Sequence, residues 1–377
     1  MRKVLSATLL LLAACPAIAT DEVQFNEAHR EFIDAVLSGD SQRSIAAGET
    51  AIEIGREIFV PDHPQLTELQ HDYAYALIKS GYIDEGREML ERSIDALIKS
   101  SGKNSPQLIS AYLAMASAYS GLGKESQQLK WYKRALGLAD RNFGKNSIDY
   151  ANVAFQTGLR VYEESQSPIG EKYLKQALAI YETELGIASK EAGITHYQLG
   201  RLAFFRRDSR DVVRHLLKSL NAFEGDTAAA QEQRLKIHAM LVQAYEALDE
   251  SDNATEHCIA IGRENQLAPD QDFVPLFTLK PQYPHTQWRN GVEGQVVLSF
   301  TVDESGFVRN PQVVEAISAP TGRRSFRSSF RDPEEHTSFE SAALAALERY
   351  RFAPRFVDGV AVPSDDVTIR MEFTLVE

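Results

Sequence analysis

Nine histidines, two cysteines and 53 carboxylates are the groups this chain has for chemistry. Their spacing limits what they can do. His196, His215, His238 and His257 are scattered, and none stands with a carboxylate or cysteine at ligand or triad spacing. No metal-ligand or nucleophile motif appears, so no catalytic, cofactor-binding or metal residue is assigned. The chain is read as non-enzymatic, a protein that holds something without converting it. Two cysteines cannot build a disulfide framework. Cys258 falls on the apolar side of a predicted helix and reads as a buried, inert thiol. Cys15 differs: Leu12-Ala13-Ala14-Cys15 has the pattern of a lipobox, whose cysteine is acylated and becomes the mature N-terminus. The remaining chemistry is that of the backbone, where an unpaired strand edge could bond a partner.

The first segment decides the compartment. Arg2 and Lys3 precede the apolar run Val4–Ala14, and Ala17-Ile18-Ala19 is a small-x-small cleavage site, so residues 1–19 read as an export signal. Cleavage after Ala19 is the preferred reading; lipid attachment at Cys15 is its rival, and the only anchor to a membrane. Val4–Ala19 is shorter than the roughly 20 residues a spanning helix needs. Either route predicts a periplasmic protein. The chain carries 44% hydrophobic and 25% charged residues, the proportions of a folded protein. Its net charge of −13 argues against nucleic acid as a partner. Residues 20–273 carry −12 of that charge, which predicts an array that disfavours anionic partners and tolerates basic ones.

From about Gln24 to Gln266 the chain repeats every 42 residues. Ala51, Ser93, Ala135, Ala177 and Ser219 are small at that step. Leu90, Tyr132, Leu174, Leu216 and Cys258 stand three positions before the small site. Ala74, Ala116, Gly158 and Gly200 form a second small series, with Leu77, Tyr119, Val161 and Ala203 three positions later and Tyr245 extending that register. Such stripes describe helix hairpins that must stack, because one hairpin cannot bury its own apolar face. Gly81 and Gly123 fall between the helices of their units, and Gly102, Gly144 and Gly186 end second helices. The pattern resembles the tetratricopeptide repeat (TPR) family in its 42-residue form, with about six units and no late proline in the repeat. The resemblance implies that first helices line a groove for an unknown protein ligand. The groove candidates are His71, Tyr75, Leu113, Ser117, Phe155, Leu159, Tyr197 and Arg201, with Gln243 continuing the series. Completion of interhelical packing is the competing role for these positions.

Pro269, Pro275, Pro281 and Pro284 end the helical period, making residues 267–282 a linker. Val296, Leu298, Phe300 and Val302 alternate as a strand. Asp303-Glu304-Ser305-Gly306 supplies a turn into a second strand, Phe307–Ala316, which Pro311 should weaken or bulge. A helix follows, with a capping box expected from Thr337 and Glu340. Val367, Ile369, Met371, Phe373 and Leu375 then alternate with polar residues in the last strand.

Residues 283–377 resemble the C-terminal domain of TonB-family energy transducers. The resemblance is carried by Tyr283-Pro284, Gly291, Glu293-Gly294, Gly306, Phe339, Ala342-Ala343, Phe352-x-Pro354 and Gly359. The expected fold is thus an all-α TPR superhelix followed by a small α+β domain of β-β-α-β order. The resemblance implies capture of a segment of an outer-membrane TonB-dependent receptor by strand addition along Val367, Thr368, Ile369, Arg370, Met371, Glu372 and Phe373. Tyr283, Pro284, Gly294, Phe352 and Pro354 are read as fold-forming. The family's membrane helix and proline-rich spacer are absent, with repeats in their place. An enlarged loop, 319–337, carries Arg323, Arg324, Arg327 and Arg331 among Phe326 and Phe330 and reads as a solvated insertion or a docking patch. The function expected is a periplasmic adaptor in TonB-dependent transport. The alternative is an envelope scaffold whose tail binds another target, such as peptidoglycan.

Overall fold

A computed structural model describes residues 16–60, 63–165, 168–225, 227–265, 273–320 and 338–375. The leader's Arg2, Lys3 and Cys15, Pro269 of the linker and the arginines of the insertion lie outside them. No helix among the described residues is long and apolar enough to cross a membrane. The chain divides into two compact units, 1–184 and 185–377.

The first unit is four helix hairpins: α1 (Pro16–Ser38) with α2 (Ser41–Ile58), α3 (Pro64–Lys79) with α4 (Ile83–Ser101), α5 (Leu108–Gly121) with α6 (Glu125–Phe143), and α7 (Ile148–Ser165) with α8 (Pro168–Glu184). The small and large series mark the contact line. Ala51, Leu90, Ala135, Tyr132, Leu174 and Ala177 are all 0–1% exposed. Where both helices carry glycine, the backbones approach closely. A Cβ on Gly170 would meet the carbonyl oxygen of Gly158 at 2.7 Å and the amide of Tyr162 at 2.8 Å. Gly102 and Gly144 end α4 and α6 with φ 84° and ψ 158° and 146°, an extended positive-φ geometry essentially reserved for glycine. The absence of a late proline lets both helices run 19 residues.

In the second unit, α9 (Lys190–Phe205) pairs with α10 (Ser209–Leu220), and α11 (Ala228–Glu246) with α12 (Ser251–Asn265). Their starts are set by local caps: Ser189, Asp208 and Thr227 each accept a first-turn backbone N–H. The four histidines that looked scattered form two pairs, each tying a first helix to its second. His196 Nδ1 lies 2.8 Å from His215 Nδ1, and His238 Nδ1 lies 2.9 Å from His257 Nδ1. The second pair is the first displaced by one 42-residue step. Burial holds His257 down to about 4, with His238 as a second cause. Burial likewise lowers His238, helped by Arg234 and opposed by Glu264.

The unit ends in α13 (His285–Arg289), β1 (Val292–Val302), β2 (Val308–Pro320), α14 (Phe339–Leu347), β3 (Arg355–Val357), β4 (Val360–Val362) and β5 (Ser364–Phe373). The main sheet is antiparallel in the order β2-β1-β5. Phe339, Ala342, Ala343, Ala346 and Leu347 of α14 share one core with Val296, Leu298, Phe300, Val367, Met371 and Phe373. Tyr283 donates its hydroxyl to the Val292 carbonyl at 2.6 Å and sets its ring edge-on to Phe339 and Phe373. Gly294 leaves room for the Phe339 ring.

Four expectations need correction. The helix cap is Ser338 with Ser341, a reciprocal capping box one residue beyond the site expected, and Thr337 lies outside the described residues. The β-β-α-β order omitted the β3–β4 hairpin, whose turn residues Asp358 and Gly359 have φ 49° and 80°. That Asp-Gly pair is the mirror-type hairpin signal. The second strand runs to Pro320, beyond Ala316, and the last runs over Ser364–Phe373, not Val367–Leu375. Pro311 does sit in an irregular stretch: the β1–β2 register breaks between Ser299 and Thr301, opposite Asn310 with φ 50°.

The sheet is fastened to α11 and α12 by one buried side chain. Arg351, 1% exposed, donates from Nη1 to Glu246 Oε1 at 2.6 Å. Its Nη2 donates to Thr255 Oγ1 at 2.7 Å and to the Ser305 carbonyl at 3.0 Å. The guanidinium lies 3.6 Å from the centroid of the Phe307 ring. Glu246 also accepts the Ser251 hydroxyl at 2.9 Å. The backbone of Arg351 bonds with Leu276 and Phe277, and Ala353 enters the repeat core beside Ile237, Leu241 and Cys258. Gly262 leaves space for the Pro354 carbonyl.

Three outcomes follow for urea or thermal unfolding. Gly170→Ala should lose about 1–3 kcal/mol, whereas Gly137→Ala, whose Cβ would meet nothing within 4 Å, should gain up to about 1 kcal/mol. Removing one partner of the buried pair, by Arg351→Ala or Glu246→Ala, should cost about 3–5 kcal/mol, and Arg351→Met with Glu246→Leu should recover most of it. The lowered histidines make the unfolded chain take up protons near pH 6.5 that the folded chain refuses, so their contribution is complete above that pH and is lost as pH falls toward about 4. Thermal scans between about pH 7 and pH 4 should fall less steeply for His238→Ala with His257→Tyr. Those residues stand at the equivalent positions 154 and 173.

Candidate functional site

The site candidate with the clearest geometry is the outer edge of β5. Alternation along the strand buries Val367, Met371 and Phe373 at 9%, 5% and 2% exposure and half-buries Ile369, while Thr368, Arg370 and Glu372 face solvent. Val367–Phe373 keeps an unbroken register with β1 from Phe300 to Gly294. The irregular part of the strand lies before it, where Asp366 has φ 58° and the register shifts between Phe300 and Val302. On its other side β5 has no strand neighbour among the described residues. Seven residues in regular extended conformation, about 23 Å long, therefore leave every second N–H and C=O without a strand partner among the described residues.

β2 is a second edge, which the sequence reading did not identify. It is a poorer template. Its register breaks twice, at Val297/Leu298 and at Ser299/Thr301, and Pro311 lacks an N–H. Residues 315–320 of β2 keep an unbroken register with β1, so a partner strand would find the longer regular ladder, seven residues against six, on β5.

The groove candidates of the first unit separate by exposure. His71, Leu113 and Ser117 are buried, at 9%, 5% and 4% exposure. Burial pushes His71 down to about 4. Tyr75, Phe155 and Leu159 are half-buried and remain available at the surface. Arg160, which the repeat pattern did not single out, joins two of the set. Its Nη1 donates to Ser117 Oγ at 2.7 Å and its guanidinium lies 4.8 Å from the Tyr75 ring, linking α7, α5 and α3. Lys79 Nζ lies 5.7 Å from the same ring. Arg160 replaces the alanines Ala76 and Ala118 of the same repeat position, which is the signal that could have found it.

In the second unit, Tyr197 and Arg201 are half-buried and stack at 5.7 Å; Arg201 also donates to Gln198 at 3.0 Å. Gln243 is exposed. Cys258 is buried, and burial pushes its thiol up to about 11, so it is not a nucleophile at neutral pH. No group of three or more histidine, cysteine or carboxylate side chains among the described residues is placed to hold a metal ion. What the arrangement offers is surface for binding: a strand edge in one unit and an aromatic, hydroxyl and guanidinium face in the other.

No family model matches the chain. Among curated proteins it is similar to the clustered mitochondria protein homologs of Emericella nidulans and Coccidioides immitis. Both are 20% identical to it, over 173 and 199 residues that cover 46% and 48% of this chain. The matches span only 14% and 16% of those proteins' length. Among solved structures, BtubC (BKLC) from P. vanneervenii is 16% identical with a TM-score of 0.45, covering 70% of this chain and 98% of that one. The TPR-like repeats of a putative kinesin light chain from Podosopora anserina are 18% identical with a TM-score of 0.42, covering 55% of this chain and 99% of that one.

Proposed function

We propose that this protein is a non-enzymatic periplasmic adaptor of the TonB type. In this role β5 captures an extended segment of an outer-membrane TonB-dependent receptor, and the helical repeats hold a second protein. The observation that carries the proposal is the unpaired, regularly registered edge Val367–Phe373. Backbone hydrogen bonds supply affinity in strand addition, and side chains add modest selectivity. The exposed row Thr368, Arg370 and Glu372 is polar, so the edge avoids the flat apolar surface that would aggregate. The residues that carry the family resemblance fit the same reading: Tyr283, Gly294 and Phe352 build the core beneath the sheet.

The repeats suit a second contact because they present half-buried aromatic and cationic side chains at the surface. The leader-like start supports export to the periplasm, and mass spectrometry of the mature N-terminus distinguishes cleavage after Ala19 from acylation of Cys15.

Ile369→Pro and Arg370→Pro together test the capture. Neighbouring N–H groups along a strand point to opposite sides, so one of the two residues donates to β1 and the other to the open edge. The proline at the inward position should destabilise the sheet. The proline at the outward position should leave the thermal unfolding of the full chain unchanged while reducing recovery of TonB-dependent receptors from envelope extracts by tenfold or more (about 1.4 kcal/mol per tenfold). Undiminished recovery by that folded variant overturns the mechanism. Recovery of cell-wall material alone by the native chain favours the scaffold alternative.

A further inference from the structure

The first unit contains a cavity of about 660 Å³ between α2 and α4, floored by α3. Its chemistry differs from that of the first-helix face. Four glutamates border it, Glu49 and Glu53 from α2 and Glu85 and Glu88 from α4, against two arginines, Arg56 and Arg92. Glu88 faces Arg92 at 3.9 Å, an exposed i,i+4 pair that leaves the other three carboxylates in excess over Arg56. Glu49 is held in place: the buried Tyr73 donates its hydroxyl to Glu49 Oε1 at 3.1 Å from the cavity floor. The neighbouring wall is aromatic and aliphatic. Tyr82 is 52% exposed, an unusual state for so large a ring, and Ile45 and Met89 are half-buried.

An aromatic face beside several carboxylates is the recognition chemistry of an ammonium or guanidinium on an aliphatic stem. The ring quadrupole and the carboxylates attract the charge, and the apolar wall covers the methylenes. Charge at the scale of the array acts the same way, since residues 20–273 carry −12. The geometry points to this cavity as the docking site for a basic segment of a partner protein, which inserts a lysine or arginine side chain between Tyr82 and the glutamates and rests its apolar neighbours on Ile45 and Met89. The inference rests on the reading of the repeats as a protein-binding array, and it gives that second partner its chemistry.

The test uses the full chain and a fluorescein-labelled peptide of alternating lysine and leucine, about ten residues and roughly 33 Å long, followed by fluorescence anisotropy at physiological salt. A glutamate–leucine peptide is the counterpart. Two double variants remove the same charge from different places: Glu53→Gln with Glu85→Gln at the cavity, and Glu125→Gln with Glu163→Gln on exposed positions of α6 and α7. The cavity pair should weaken the basic peptide about tenfold and the distant pair less than about twofold. Tyr82→Ala should weaken it several-fold. Equal losses in the two pairs overturn the proposal, because attraction would then be a property of net charge. Preference for the acidic peptide overturns it while leaving the array a protein-binding element. Failure of the basic peptide to bind at all overturns the proposal.

Discussion

Burying a guanidinium and a carboxylate costs several kcal/mol for each ion before any contact is counted. Arg351 and Glu246 are 1% and 3% exposed. The charges are tolerable there because nearly every donor and acceptor has a partner: Thr255, Ser251 and the Ser305 carbonyl complete the set, and the Phe307 ring faces the cation. Only Arg351 Nε lacks one. Two groups that satisfy each other only in one relative placement define that placement sharply. The end of the helical array and the base of the sheet therefore meet in one register. The apolar contacts of Ala353, Leu276 and Phe277 with the repeat core then supply burial that is less particular about position.

That fastening answers a problem every stacked array has. A repeat at the end of a stack leaves an apolar face with no successor, and solubility requires something to cover it. In the second unit the face of α11 and α12 is covered by the strand-and-loop segments around Phe277, Arg351 and Pro354. The sheet consequently serves as the cap of the array as well as a surface of its own. Its used side is the base, where Gly306, Phe352 and Pro354 lie; its unused side is the β5 edge. A strand edge held this way is preorganised, so pairing along it would carry little ordering cost for the protein.

What could be read from the residues and what could not divides along the range of the interactions. The 42-residue step located every hairpin, because packing of small against large residues is a local, periodic requirement that each repeat must meet separately. The alternation of Val367, Ile369, Met371 and Phe373 located the last strand for the same reason. Single events lacked that redundancy. Glu246 and Arg351 are 105 residues apart and belong to no period, so neither announced itself. Arg160 was visible only as a break in an alanine series. The histidine pairs were the opposite case: the period was present, 196 to 238 and 215 to 257, but a search for ligand and triad spacing looks for different separations. The Asp358-Gly359 turn was legible as a hairpin signal, but Gly359 served only as a mark of the resemblance.

The charge of the array is the case in which a correct average hides the local arrangement. An array at −12 still places Arg160 and Lys79 over one tyrosine ring on the first-helix face, with neither cation in an ion pair among the described residues, while its glutamates gather around Tyr82 between the second helices. Screening confines the influence of an exposed charge to about 8 Å at physiological salt. A partner approaching within that distance meets the local set of side chains, not the total. Two faces of opposite local character can therefore coexist on one unit of uniform net sign. A basic side chain and an acidic one would then be favoured on different faces of the same unit.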